Sequence, residues 1–274
     1  MSKITIKKIQ SWKNVKPFSA ITAYDFSSAK IIDECGLPVV LVGDSAAMVA
    51  YGYDTTIPIT MEEMLLITKA VSRGVQSALV VGDMPFLSYQ SSISMAVKNA
   101  GRFLKEGGVS AVKLEGGGVV SKHINKIVAF GIPVMGHVGL LPQSYHLSSG
   151  YRIQGKTKLE AEKIFEDAIS VQKSGAFSVV LEGIPTDLAI KITNTLDIPT
   201  IGIGAGFNCD GQIQVYHDIL GLYGDIIPRH TKRYANFGTE IQQKLAKYKS
   251  EVEAKIFPTQ QHSVTSSRQT VKTN

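Results

Sequence analysis

Short runs of branched apolar residues recur along the chain, and most of them stop at a residue that can take part in chemistry. The clearest run, Val39–Val42, is followed after one glycine by Asp44 and Ser45. Because apolar and polar residues do not alternate within it, this run is typical of a parallel strand buried on both faces. Such a strand has no packing use for an acid at its carboxyl end. Later runs of the same kind reach Asp83, Glu115, His137 and Glu182.

Helical patterns separate these runs. Thr-x-x-Glu capping boxes predict helix starts at Thr60 and Thr157, and an eighth strand is predicted near residues 214–216. The alternation of short strands with helices predicts an α/β protein, a (β/α)8 TIM barrel. A doubly wound sheet is the alternative, but its crevice would draw on fewer strand ends than carry acids here. Two connections, residues 46–58 and 139–156, are longer than the usual turn between a strand and a helix. The first is predicted to be a functional loop.

The ends of the chain are predicted to flank this barrel. Residues 3–12 can form a short amphipathic capping helix over one end of the core, and residues 239–255 an extra C-terminal helix. Residues 258–274 are polar and rich in Ser, Thr and Gln, which is typical of a disordered tail. The sequence therefore predicts one catalytic barrel domain over residues 1–257.

Composition narrows the class of protein. The chain has 274 residues, is 44% hydrophobic and carries a formal charge of +6, but its basic residues are scattered. This scattered distribution disfavours a nucleic-acid partner, and a mildly basic protein is equally compatible with ligands that are anionic small molecules. Cys35 and Cys209 form neither a metal-type spacing nor a disulfide framework. No apolar run approaches the roughly 18 residues of a membrane span, and the start of the chain is polar. We therefore expect a cytoplasmic protein with no membrane partner.

Three carboxylates, on Asp44, Asp83 and Glu115, stand at successive strand ends. If these ends converge, the carboxylates repel one another unless a proton or a cation lies between them. Oxygen ligands of this kind suit Mg²⁺, which keeps open positions for water or substrate. The alternative is that each acid caps the helix that follows it. Capping does not require acids on consecutive strands, so the metal hypothesis is preferred.

Three further polar residues each have more than one possible role. Lys113 lies two residues before Glu115 on the same strand face, so it can hold a substrate carboxylate, act as a Schiff-base nucleophile, or form a structural ion pair. His137 is a candidate donor to a substrate oxygen, or a buried structural histidine. Glu182 is a candidate general base with apolar surroundings, or the cap of a helix that begins near Pro185.

Ordered motifs follow one another along residues 18–263. They are Thr22-Ala23-Tyr24-Asp25, Leu41-Val42-Gly43-Asp44-Ser45, Asp83-Met84-Pro85-Phe86, Val112-Lys113-Leu114-Glu115-Gly116, Pro133 to Leu140 with Pro142-Gln143-Ser144, Gly150 to Gly155, and Ile201 to Gly206. In this order they resemble the motifs of the ketopantoate hydroxymethyltransferase family. One departure is visible, since Ala46-Ala47-Met48 stands where Leu-Gly-Met is expected, and it removes no polar group. The residues after Ser263 look additional to the family pattern.

The resemblance implies a barrel of the phosphoenolpyruvate/pyruvate type, commonly a homo-oligomer of ten subunits. It implies that Mg²⁺ assists transfer of a one-carbon unit from 5,10-methylenetetrahydrofolate to 3-methyl-2-oxobutanoate, giving 2-dehydropantoate in pantothenate synthesis. Glu182 falls on the general base of the family. The metal positions fall on Asp44, Asp83 and Glu115, the last partly through water, and the 2-oxo acid contacts on Asp44, Ser45, Asp83 and Lys113.

Other functions stay open from the residues alone. A C–C lyase or mutase on the same kind of barrel would act on another 2-oxo acid without folate. Imine catalysis through Lys113 would be trapped by borohydride and would be indifferent to EDTA. A non-catalytic, ring-forming scaffold would have no affinity for divalent ions.

Overall fold

The computed structural model describes residues 3–223 and 228–264. Within these residues, eight parallel strands close into a barrel in which each strand pairs with the next and the last pairs with the first. The predicted (β/α)8 TIM barrel is therefore confirmed. The strands are β1 (Phe18–Thr22), β2 (Val39–Val42), β3 (Leu79–Asp83), β4 (Ala111–Glu115), β5 (Val134–Gly139), β6 (Ser178–Glu182), β7 (Thr200–Ile203) and β8 (Gly211–Gln214).

The strands are apolar at consecutive positions because both of their faces are covered. On β2, Val39 and Leu41 belong to a cluster that gathers side chains from around the barrel interior. Val40 and Val42, one residue out of phase, belong to a second cluster shared with the surrounding helices. This alternation is the two-residue period of a strand, with one face turned to the barrel axis and the other to the helices.

Ten α-helices lie in the described residues. Both predicted capping boxes form: Glu63 N donates to Thr60 Oγ1 at 3.2 Å while Thr60 N donates to Glu63 Oε2 at 2.7 Å, and Thr157 and Glu160 repeat the arrangement. The helices are α1 (Ile6–Gln10), α2 (Phe26–Glu34), α3 (Ala46–Val49), α4 (Met61–Gly74), α5 (Ile93–Lys105), α6 (Ser121–Ala129), α7 (Lys158–Lys173), α8 (Thr186–Thr195), α9 (Tyr216–Ile219) and α10 (Phe237–Glu253).

The predicted capping helix closes the amino end of the barrel. Ile9 of α1 and Trp12, just after it, are buried in the interior cluster. The chain is fixed there by Asp210, which immediately precedes β8. Its carboxylate forms a buried ion pair with Lys13 at 2.9 Å and accepts a hydrogen bond from Asn14 N at 2.8 Å. This contact lies beside the seam between β1 and β8.

Two elements differ from the prediction. The eighth strand is Gly211–Gln214, so the predicted span 214–216 overlaps it only at its last residue. The next residues turn into α9, because Tyr216 N donates to Thr22 Oγ1 at 2.9 Å instead of continuing the ladder. The connection 46–58, predicted to be a loop, begins with the short helix α3.

The C-terminal helix begins two residues before the predicted start and has no buried residue. Of the predicted disordered tail, residues 258–264 are described and include a 3₁₀ turn at Gln260–His262; residues 265–274 lie outside the described residues. The division into a barrel domain ending at residue 257 and a tail stays a prediction. None of the helices in residues 3–223 and 228–264 is long and apolar enough to cross a bilayer.

Candidate active site

A cavity of about 260 Å³ opens at the carboxyl ends of the strands. This end of a TIM barrel is where catalytic groups are found. A larger, open groove of about 720 Å³ lies on the outside of the barrel against α6 and α7, and it contains none of the residues that the sequence singled out. All seven predicted site residues line the cavity: Asp44, Ser45, Asp83, Lys113, Glu115, His137 and Glu182.

The strand period explains why most of these side chains meet. Val81, Ala111, Met135 and Val180 belong to the interior cluster. The residue two positions after each of them is therefore on the same inward face, one layer nearer the mouth. Those residues are Asp83, Lys113, His137 and Glu182, and Glu115 follows Lys113 by two more positions.

Lys113 and Asp83 form the closest charged pair in the cavity. The two residues are register partners on adjacent strands, and the Lys113 ammonium donates to both oxygens of Asp83 at 2.8 Å. Both side chains are almost fully buried, at 5% and 2% exposure. The Lys113 nitrogen lies 3.8 Å from Glu115 Oε1. Although burial opposes its charge, Asp83 and Glu115 raise the pKa of Lys113, so this residue is a cation at neutral pH.

Asp44 and Glu115 are bridged by Gln143, which follows β5. Gln143 Nε2 donates to Asp44 Oδ2 at 2.9 Å, and Gln143 N donates to Glu115 Oε2 at 3.0 Å. Asp44 N in turn donates to Asp83 Oδ2 at 3.2 Å. Burial, with the charges of Asp83 and Glu115, raises the pKa of Asp44 well above its ordinary value. Three almost fully buried carboxylates therefore lie beneath the same small cavity.

His137 lies between two carboxylates. Its Nε2 is 3.3 Å from Glu182 Oε2 and its Nδ1 is 3.6 Å from Glu115 Oε1, although neither contact is a well-aligned hydrogen bond. Burial and the charge of Lys113 oppose protonation, but the two carboxylates outweigh them and raise the pKa of His137 to about 9. Both ring nitrogens are thus directed at protein groups, and donation from His137 to a substrate oxygen stays a prediction.

Ser45 and Glu182 stand at the rim of this cluster. The Ser45 hydroxyl is 2.8 Å from the hydroxyl of Tyr24, at the end of β1. The Glu182 side chain is 17% exposed, more than the buried acids, and its carboxylate can therefore meet a molecule that enters the cavity. The alternative role of Glu182 as a helix cap is not observed, because α8 begins without a side-chain cap.

The donor set fits a divalent cation. Carboxylate oxygens, the ligand type that such an ion prefers, stand at three neighbouring strand ends, and Glu115 Oε1 has no hydrogen-bond partner among the described residues. In the arrangement present, no three His, Cys, Asp or Glu side chains of residues 3–223 and 228–264 converge closely enough to hold an ion. Lys113 donates to both oxygens of Asp83, so that carboxylate would have to exchange partners on binding an ion, whereas Gln143 contacts only Oδ2 of Asp44.

Sequence reasoning gave no role to three residues that complete the site. Gln143 and Tyr151 lie within motifs of the family pattern that assign them no role, and Tyr89 lies in the short connection after β3, where no periodicity marks it. The third, Tyr151, lines the cavity from the loop 139–156, and its hydroxyl donates to Met48 Sδ at 3.3 Å. Only their tertiary contacts identify them.

The chain matches the family model described as ketopantoate hydroxymethyltransferase over residues 3–260. It is 50% identical over 266 residues to 3-methyl-2-oxobutanoate hydroxymethyltransferase of Carboxydothermus hydrogenoformans, which covers 97% of this chain and 96% of that protein. It is 52% identical over 259 residues to the protein of the same name from Clostridioides difficile, covering 93% and 94% of the two chains.

Solved structures resemble the barrel at much lower identity. A phosphonopyruvate hydrolase superposes with a TM-score of 0.63 at 12% identity, covering 96% of this chain and 93% of the other. A 2,3-dimethylmalate lyase, described as a member of the PEP mutase/isocitrate lyase superfamily, gives 0.60 at 14% identity, with coverages of 96% and 93%. These two likenesses concern the fold alone. The family match and the identity of about half of all residues over nearly the whole chain establish that this protein belongs to the ketopantoate hydroxymethyltransferase family.

Proposed function

We propose that this protein transfers a one-carbon unit from 5,10-methylenetetrahydrofolate to 3-methyl-2-oxobutanoate, giving 2-dehydropantoate for pantothenate synthesis. The observation that carries the proposal is the buried cluster of Asp44, Asp83, Glu115 and Lys113 beneath a small cavity, in a chain of this family. A divalent ion held by these carboxylates, and the Lys113 ammonium, would be the two positive partners for the oxygens of a 2-oxo acid anion.

Asp44, Asp83 and Glu115 are the residues that would hold Mg²⁺, or another divalent ion. When bound, such an ion supplies Lewis acidity toward the keto oxygen and carboxylate of the substrate. Lys113 would then be freed from part of its present pairing with Asp83 and would neutralise the substrate carboxylate. Ser45, beside Tyr24, adds a hydroxyl at the same edge of the cavity.

Glu182 is the proposed general base. It would remove the proton from C3 of the substrate, the branched carbon next to the keto group, and the resulting carbanion would attack the one-carbon unit of the folate. His137, 3.3 Å from Glu182, would orient that carboxylate and hold it in the cavity. That attack would break one carbon–nitrogen bond of the folate methylene bridge, and the freed nitrogen would take up the proton that Glu182 removed. Water would then add its hydroxyl to the transferred carbon as the second carbon–nitrogen bond breaks, and its remaining proton would go to the nitrogen of that second bond, so that tetrahydrofolate leaves.

An imine mechanism through Lys113 is disfavoured by the same geometry. A Schiff base requires a neutral amine. The Lys113 ammonium donates to both Asp83 oxygens, and the surrounding acids raise its pKa. Borohydride in the presence of substrate should therefore trap no adduct, and EDTA should abolish activity.

We also propose that the protein is cytoplasmic and works as a homo-oligomer, with ten subunits as the expected size. The apolar stripe of α10 supports association, because its large side chains are exposed at helical spacing on a helix with no buried residue. Light scattering of the purified chain measures the assembly mass, and a monomer at all concentrations would contradict this part. The stripe consists of Phe237, Ile241, Leu245, Tyr248 and Val252.

The test of the chemistry is deuterium exchange at C3 of 3-methyl-2-oxobutanoate without folate, with and without Mg²⁺. Wild type should exchange only with the ion, and Glu182→Gln should lose exchange by about 100-fold or more, the scale of a general base. Glu162→Gln, at an exposed position of α7, is the matched control and should exchange normally. Full exchange by Glu182→Gln would remove that residue from the base role.

Adding 5,10-methylenetetrahydrofolate separates this function from a lyase or mutase acting on another 2-oxo acid. The proposed enzyme forms 2-dehydropantoate only when the folate is present. Consumption of a 2-oxo acid at the same rate with and without folate would favour the alternative.

A further inference from the structure

Gln143 is the most highly connected polar side chain beneath the cavity. It lies in the 3₁₀ turn Pro142–Ser144, within the loop that follows β5, and is 5% exposed. Its side-chain nitrogen donates to Asp44 Oδ2 and to Met84 O, both at 2.9 Å, and its backbone N–H donates to Glu115 Oε2 at 3.0 Å. One residue thus contacts the ends of β2, β3 and β4.

The orientation of the Gln143 amide is fixed by its partners. Met84 O can only accept a hydrogen bond, so the NH₂ group must face it, and the same nitrogen then lies against Asp44 Oδ2. The amide oxygen then faces two donors, the Tyr89 hydroxyl at 2.9 Å and Gln90 Nε2 at 3.0 Å. Every hydrogen-bonding group of this side chain is therefore used, and the amide cannot rotate without losing all of these contacts.

Gln143 contacts two of the three proposed metal ligands. Through the side chain it holds Asp44, and through the backbone it holds Glu115, whose other oxygen is left unbonded. Groups that hydrogen-bond to ligands set ligand orientation, and their loss weakens metal binding. We propose that Gln143 is the positioning residue that holds Asp44 and Glu115 in place for the divalent cation. The inference rests on the metal-dependent function proposed above.

No other residue type supplies the same contacts. Glutamate would place a further carboxylate against Asp44, and asparagine is too short by one methylene to reach both Asp44 and Met84. Methionine matches the length and volume but makes none of the side-chain hydrogen bonds, and it retains the backbone bond to Glu115. Gln143→Met therefore removes the side-chain contacts alone.

The test uses the full chain and Mg²⁺ alone, measured by isothermal titration calorimetry and by the shift of the unfolding temperature on adding Mg²⁺. Gln143→Met should bind Mg²⁺ about 10- to 100-fold more weakly than wild type. In the C3 exchange assay, it should need correspondingly more Mg²⁺ for half-maximal rate and recover exchange when the ion is saturating. Tyr89→Phe removes a hydroxyl that contacts the Gln143 oxygen at 2.9 Å and the backbone N and O of Glu115 at 3.1 Å. Because it leaves the bond from Gln143 to Asp44 in place, it should weaken Mg²⁺ binding in the same direction by less.

Thr193→Val is the matched structural control, because it also removes a buried side-chain hydrogen bond, to Thr200 at 2.8 Å, away from the cavity. It should lower the unfolding temperature without changing the dissociation constant for Mg²⁺. If Gln143→Met and Tyr89→Phe bind Mg²⁺ as tightly as wild type, the positioning role is wrong while the proposed function stands. If wild type itself binds no Mg²⁺, the proposed function fails and this inference fails with it.

Discussion

Replacing Lys113 with methionine tests the most highly charged contact in the cavity. The substitution keeps the length of the side chain and removes the ammonium that donates to both oxygens of Asp83. Asp83 is then left 2% exposed, with Asp44 N at 3.2 Å as its remaining hydrogen-bond donor. Removing one partner of a buried pair typically costs about 3–5 kcal/mol, because the other charge stays uncompensated.

The assay is unfolding in EDTA at neutral pH, so that no divalent ion replaces the lost charge. At about 2–4 °C per kcal/mol for a chain of this size, Lys113→Met should lower the unfolding temperature by about 6–20 °C. The double variant Asp83→Asn with Lys113→Met carries no unpaired Asp83 charge, and it should be more stable than Lys113→Met alone. The double-mutant cycle separates the interaction free energy of Lys113 and Asp83 from the stability that each substitution loses on its own.

Additive effects of the two substitutions would refute an interaction between Lys113 and Asp83. If the double variant loses the sum of the two single losses within about 0.5 kcal/mol, the two residues do not interact energetically, whatever their distance. A Lys113→Met protein as stable as wild type would show in addition that Asp83 is neutral in the folded protein.

Three further predictions concern positions outside the acid cluster. Gly139 has φ +97°, and a Cβ added there would overlap the carbonyl of Glu182. Gly139→Ala should therefore lower the rate of C3 exchange at least about tenfold and lower the free energy of unfolding, measured by denaturation, by about 1–3 kcal/mol. An unchanged exchange rate would contradict this prediction. Thr60→Ala removes the capping box with Glu63 and should cost about 1 kcal/mol with normal exchange; a loss of exchange would show that α4 affects the site. Although burial opposes it, hydrogen bonds from the amides of residues 76–78 hold the pKa of Asp33 below its ordinary value. This stability is therefore present above the unfolded pKa of about 3.9 and is lost as the pH falls through the lower, folded pKa. The deficit of Asp33→Asn should accordingly shrink as the pH is lowered below about 4, and a deficit independent of pH would refute this.

The sequence by itself determined the barrel and most of the cluster. Unalternating runs such as Val39–Val42 require cover on both faces, and a closed parallel barrel with outer helices provides it. The two-residue period of a strand then carries Asp83, Lys113 and Glu182 onto the inward face at one end. Local rules also fixed the helix starts, because a capping box such as Thr60–Glu63 needs no distant partner.

The eighth strand shows where local pattern fails. Gly211–Gln214 holds a single branched apolar residue, and its place in the sheet comes from pairing with β1 and β7. The same is true of Gln143, which no periodic pattern marks. Its partners are 28 to 99 residues away in the chain, so only the closed fold brings them within reach.

Charge pairing was the other property that only the tertiary structure decided. The sequence offered Lys113 as a substrate contact, a nucleophile or one half of an ion pair, and the register of β3 against β4 sets it against Asp83. His137 likewise lies between Glu115 and Glu182 because β5 runs between β4 and β6. A strand pattern specifies which face a side chain occupies. The identity of its neighbour on that face depends on strand order and register, which are settled when the barrel closes.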